Sequence, residues 1–398
     1  MTILNKWTLF FYGWLLLAPT LLQAHEGHDH GRSSQSAALA VSLALDENAT
    51  LWRVGVENGI VIVQASTDMG QTFDRGRRLN ASPQKIGTDG DARPKIAVGP
   101  EGNLYVSWTQ ALVKPYSGYI WFSRSTDGGR TFSQPLIVHR DRAEITHRFD
   151  ALAVAASGRV YVAWIDKRDL HAAQAKSQAY EGAAIYYAYS DDSGATFSEE
   201  QKLADSSCEC CRIAITTDSA GNAVALWRHV FEGGVRDHAV AKFSDQPLTE
   251  AKRASFGNWK VDACPHHGPA LARGGDWGWH MAWFDGGEKA GLYYARMDGE
   301  AWVSSPARRF GLPEPQAGHP ALASHGENVW LVWRALTDKA AVVMLARSDD
   351  GGRRWHDAVQ VAETAGRADH PQLLTQGDAV WLAWNTGKDG LMMKRLQP

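Results

Sequence analysis

All four cysteines of this chain fall in two short segments, Cys208-Glu209-Cys210-Cys211 and Cys264-Pro265-His266-His267. Thiolates and imidazoles together suit a soft metal, Cu(I) first and Zn(II) less specifically. The spacing matches neither a paired Cys-x-x-Cys zinc signature nor a Cys-x-x-Cys-His haem attachment, so no standard motif selects the ion, and no nucleotide or haem motif is present. Disulfide chemistry competes with the metal reading. Cys208 with Cys264 is the simplest pair, whereas adjacent Cys210 and Cys211 fit disulfide geometry poorly. A catalytic thiol is the third use of the same residues. Further histidines strengthen the metal reading: His319-Pro320, His370-Pro371 and His147 in the body of the chain, and His25, His28 and His30 near its start.

What could bring such distant residues together is an internal repeat. A tryptophan closes a short apolar run at Trp108, Trp164, Trp227, Trp283, Trp333 and Trp384, at intervals of 56, 63, 56, 50 and 51 residues. Each repeat holds two apolar runs of strand length around a Gly-, Asn- or Asp-containing turn, as at Gly102-Asn103 and Gly377-Asp378, which is a hairpin signal. A period near 50 residues predicts an all-β propeller of four-stranded blades. Inner strands are expected to start near Val41, Arg93, Asp150, Ile213, Pro269, Pro320 and Pro371. That count favours seven blades, with six as the alternative. The last repeat stops after three strands, and residues 36–39 could supply its fourth.

Aligned on this period, Ile213 and Pro269 are equivalent. Cys208 then matches Cys264, Cys210 matches His266, and Cys211 matches His267. Equivalent positions on adjacent blades lie side by side where inner strands enter the central channel. His319 and His370 occupy the place of Arg93, one step before the shared proline, and His147 precedes the third inner strand. The expectation is a channel mouth rimmed by these thiols and imidazoles.

An octet recurs four times: Ser66-Thr-Asp68-Met-Gly70-Gln-Thr-Phe73, and again around Asp127, Asp192 and Asp350. Its aspartate can accept hydrogen bonds from the turn's own amides, and its glycine supplies a conformation closed to residues with a Cβ. Two more copies have decayed, around Asp245 and Asp298. This pattern resembles the Asp-box, or BNR-repeat, propellers of the sialidase superfamily over residues 40–398. The resemblance implies a propeller in which the octet joins the third and fourth strands of a blade, and the family includes both glycosidases and non-catalytic members. Its enzymes grip the substrate carboxylate with three arginines and use a tyrosine nucleophile. Arg93-Pro94 and Arg212-Ile213 match the first arginine's context in part. The nucleophile comes from a late blade, yet this chain has no tyrosine after Tyr294. Tyr293-Tyr294 reads as packing between blades.

Residues 1–24 read as a signal peptide: Lys6 precedes an apolar stretch over residues 7–22, and Ala24 marks the cut. Residues 25–37 form a His/Ser-rich linker, and 38–398 the propeller. Cleavage would leave His25 with a free amine followed by His28 and His30, a candidate metal-binding tail. The mature protein is expected in the periplasm or outside the cell, with no membrane span. Charge is close to balanced, 41 basic against 44 acidic residues, and no basic run suggests nucleic acid. Taken together, the sequence points first to an exported binding protein for a metal ion, copper above zinc. A sialidase-type glycoside hydrolase and a protein-interaction propeller, such as an assembly factor, are the alternatives.

Overall fold

The computed structural model describes residues 39–88, 90–210, 212–243, 251–263, 265–312 and 316–397. The leader, the tail histidines His25, His28 and His30, and Cys211 and Cys264 lie outside the described residues. The chain forms seven antiparallel sheets, each built from consecutive strands; six have four strands and the last has three. The innermost strands are β1 (Ser42–Leu45), β5 (Lys95–Val98), β9 (His147–Val154), β13 (Ile213–Thr217), β17 (Ala270–Arg273), β21 (Gly318–His325) and β25 (Gln372–Gln376). Each packs against the next, and β25 packs against β1. The molecule is therefore a closed propeller of seven blades, the number that the inner-strand starts favoured.

The repeated tryptophans all lie on the second strand of their blades. Trp108, Trp164, Trp227 and Trp384 are essentially sealed from solvent, with Trp283 and Trp333 nearly so. Each fills the interface with a neighbouring sheet, where a flat, large side chain removes the most apolar surface from water. Several indole nitrogens also anchor the rim: Trp164 Nε1 donates to Asp166 at 2.9 Å and Trp384 Nε1 to the Asp369 carbonyl at 2.9 Å.

The four octets close in one geometry, between the third and fourth strands of their blades. In the first, Ser66 Oγ donates to Asp68 Oδ1 at 2.7 Å and accepts from the Gly70 amide at 2.8 Å; the Thr72 amide donates to Asp68 Oδ1 at 2.9 Å. Ser190, Asp192, Gly194 and Thr196 repeat these bonds, and Gly70 and Gly194 adopt φ of 87° and 80°. The hydrogen bonds from Thr72 and Ser66 hold the half-buried Asp68 carboxyl down to about 2. The decayed copy at Asp298 keeps part of the device, accepting from the amides of Glu300 and Ala301. Asp245 lies outside the described residues, as do residues 36–38 of the segment expected to complete the last blade. Leu39 is described: its carbonyl accepts from Asn385 Nδ2 at 3.0 Å, beside the seventh blade.

Candidate metal centre

Two inner strands open on a His-Pro step, and each step presents its imidazole at the same end of the channel. In β21 the register slips between Gly318 and Ala321, so that two residues, His319 and Pro320, oppose one on the neighbouring strand Asn328–Leu336. Such a bulge turns a side chain out of the alternating pattern of the sheet. His319 sits there at φ 53°, in a backbone region that non-glycine residues seldom occupy. His370 lies just before β25, and the two imidazoles stack with centroids 3.4 Å apart and planes 15° from parallel.

The third member comes from the far side of the ring. Asp91 is carried by the loop that enters β5, and its carboxylate reaches His370 Nδ1 at 3.2 Å and His319 Nδ1 at 3.9 Å. One ligand atom from each of Asp91, His319 and His370 falls within 4.8 Å of the others. Glycines make the approach possible. A Cβ on Gly90 would stand 3.0 Å from His370 Cε1, and one on Gly268 would stand 2.9 Å from Asp91 Oδ2. Gly268 occupies the alignment position of His319 and His370, so the fifth blade leaves open the space that Asp91 fills. His267 lies one step earlier, its ring 4.9 Å from His319 and 4.3 Å from Phe284, with Nδ1 buried and lacking a hydrogen-bond partner.

The protonation states suit coordination. Burial lowers His319 to about 4 and His267 to about 3, the neighbouring imidazole adding to each shift; burial also lowers His370, with Asp91 opposing. Burial works against ionising Asp91, but His370, hydrogen-bonded to it, and the facing His319 outweigh that and keep the carboxyl well below its ordinary range. At neutral pH the group is thus two neutral imidazoles and one carboxylate, ready to coordinate. Asp91 is one-third exposed, His319 and His370 about one-eighth, so the carboxylate side remains open to the channel. Imidazole and carboxylate together suit Zn, Cu, Fe or Ni.

Two of the arginines singled out in the sequence are engaged. Arg93 donates to the carbonyls of Gly90 at 2.6 Å and Val41 at 2.8 Å, and its fork takes both carboxylate oxygens of Asp369, the second at 2.6 Å. Both partners of that ion pair are 4% exposed. Arg212 Nη1 donates to the Cys210 carbonyl at 2.6 Å and its guanidinium lies 4.4 Å from the centre of the Phe149 ring. Neither arginine, as placed, offers a free fork to a substrate. Lys95 Nζ donates to the Asp91 carbonyl, and burial pushes its ammonium down to about 8.

The two described thiols lie elsewhere. Cys208 and Cys210 are buried with sulfurs 3.9 Å apart, among the apolar residues packed around Ala92, Phe149 and Ile213. His266 is exposed, at φ 53°. Among the described residues, neither cysteine nor His266 joins a set of three ligand atoms within 4.8 Å. His147 is fully buried, hydrogen-bonded to the Gly118 carbonyl at 3.1 Å and stacked on His139 at 4.0 Å, with Nε2 3.7 Å from Asp166. Of the histidines picked out in the sequence, His319 and His370 come together, His267 stands beside them, and Asp91 is the member of the group that sequence reasoning missed. Tyr294 packs between blades as expected, 4.7 Å from Trp355 and hydrogen-bonded to His280 Nδ1 at 2.6 Å.

Solved propellers are similar in shape. A polysaccharide lyase of family PL25, an ulvan lyase, aligns with a TM-score of 0.53 at 13% identity, over 90% of this chain and 91% of its own. The virginiamycin B lyase of Staphylococcus aureus aligns with a TM-score of 0.51 at 10% identity, over 91% and 96%. A Hadza microbial sialidase gives 0.49 at 15% identity, over 86% and 74%. At such identities the likeness is one of fold. No protein-family model and no curated protein sequence matches the chain.

Proposed function

We propose that this propeller is a metal-binding protein holding one transition-metal ion at its channel mouth on His319, His370 and Asp91, with copper the preferred ion. The convergence of two neutral imidazoles and a carboxylate from three blades carries the reading. Copper(II) heads the divalent series for nitrogen and oxygen donors. His267, unpartnered at Nδ1, is the group available as a further ligand. This reading moves the ion from the cysteines to the imidazoles. It fits an exported, periplasmic protein whose tail His25, His28 and His30 offers the same ion a first contact.

The test is metal content and affinity of the purified chain. One copper per chain is expected, with loss on His370→Ala and at least tenfold weaker binding on Asp91→Asn. Cys210→Ser should keep full occupancy. Full occupancy in His370→Ala, or loss confined to Cys210→Ser, would overturn the assignment.

A further inference from the structure

A cavity of about 420 Å³ opens between the sixth and seventh blades, lined by Arg334, Thr337, Lys339, Ala340, Gly366 and Arg367 among others. No carboxylate is in its wall. Arg334 gives Nη1 to the Ala368 carbonyl at 3.2 Å, and among the described residues the rest of its planar fork faces no acidic partner at ion-pair distance. Among the described residues, neither Lys339 nor Arg367 belongs to an ion pair. The acidic groups close by in sequence are placed otherwise: Asp389 accepts from Thr364 Oγ1 at 2.7 Å, and Asp338 is exposed beside Lys339.

Three cations of one sign around a concave space is an arrangement that repels itself unless an anion enters. Burial already pushes the Arg334 guanidinium down, against the attraction of Asp369 and Asp91, so part of its hydration has been removed without a counter-charge in contact. A carboxylate or phosphate matches the guanidinium fork with two parallel hydrogen bonds, and the ammonium of Lys339 adds a movable third donor. We infer that the cavity between the sixth and seventh blades binds a small anion bearing carboxylate or phosphate groups, held by Arg334, Lys339 and Arg367. None of the three metal ligands lines this cavity, so the inference stands apart from the proposed ion.

Calorimetric titration of the full chain, stripped of metal with EDTA and dialysed, tests it with citrate in one arm and inorganic phosphate in another, glucose serving as the neutral control. Saturable binding of at least one anion is expected, weakened tenfold or more by the paired change Lys339→Ala and Arg367→Ala. Both side chains are exposed, so the fold should survive. His370→Ala should shift the affinity less than twofold, while the copper content of the same variant reports separately on the metal. The arm that saturates identifies the anion class. Absence of binding by the metal-free chain in both arms, or binding unchanged in the paired variant, overturns the inference.

Discussion

Asp369→Ala should be among the most damaging single changes in the molecule, though Asp369 touches no proposed ligand atom. Its carboxylate takes the Arg93 fork where both side chains are 4% exposed. Truncation leaves a guanidinium buried without a counter-charge, a loss on the order of 3–5 kcal/mol against a total stability of roughly 5–15 kcal/mol. The pair itself adds little. Burial raises the Asp369 carboxyl despite Arg93 beside it, so the desolvation penalty outweighs the attraction. Replacing both residues, Arg93→Leu with Asp369→Leu, removes the uncompensated charge and orphans the Gly90 carbonyl and the His370 amide, while Gln372 still donates to the Val41 carbonyl. That double variant should lie within about 2 kcal/mol of the parent, at roughly 1 kcal/mol per lost hydrogen bond. Urea unfolding followed by tryptophan fluorescence measures both, provided the slopes agree. A single variant costing less than about 1 kcal/mol, or a double variant as damaged as the single, would refute this account.

Two further outcomes follow from the same geometry. Gly268→Ala sets a methyl group 2.9 Å from both Asp91 Oδ2 and Arg212 Cβ and should weaken copper binding at least tenfold; unaltered affinity would remove Asp91 from the coordination shell. The protein should also be acid-labile above the range where carboxylates titrate. Burial holds His139 and His280 near 3 and His229 near 4. The unfolded chain takes up protons at these histidines below about pH 6.5 while the folded one does not. Stability therefore falls as pH drops from about 6.5 toward 4, by on the order of 1 kcal/mol per pH unit for each. Urea midpoints that stay flat between pH 6.5 and 5 would contradict the neutral burial of these three rings.

Much of the scaffold was legible because the repeat writes the same instruction several times. The tryptophans mark second strands, the octets mark the turn before the fourth, and the common proline marks entry to the inner strand. His319 and His370 emerged from that register. Asp91 did not, because no acidic residue recurs at its place in the aligned loops, where His266, Ala317 and Ala368 stand; the available clue was Gly90 beside it, a residue that permits close approach, in front of Arg93-Pro94. For the cysteines the described residues reach only Cys208 and Cys210, since Cys211 and Cys264 lie outside them. Alignment shows which loops are neighbours, but not which way their side chains turn. Cys208 and Cys210 face the apolar packing around Ala92 and Phe149, and a single left-handed residue such as His266 at φ 53° redirects the side chains around it. Arg93 and Arg212 were read as possible anion grips because a sequence cannot show that an internal acceptor already holds them.

The seam of the ring and the proposed metal site are one construction. Arg93 binds Val41 of the first blade, Gly90 of the loop entering the second, and Asp369 of the seventh. Gln372 adds a second tie from the seventh blade, donating to the Val41 carbonyl at 2.9 Å and accepting from the Leu43 amide at 3.2 Å. Asp91 follows Gly90 directly, and His370 follows Asp369. The ion pair that closes the ring thus also fixes how near the carboxylate stands to the imidazoles. A hydrophobic pair could close the seam about as stably, yet it would not set that distance with two directed hydrogen bonds. Positional control of Asp91 against His370 is the physical reason for burying a charge pair there. An ion bound across this seam would in turn oppose the opening of the ring, since its ligands come together only when the first and last blades meet. Its binding free energy is then part of the folding free energy, about 2.7 kcal/mol at a hundredfold excess over the dissociation constant.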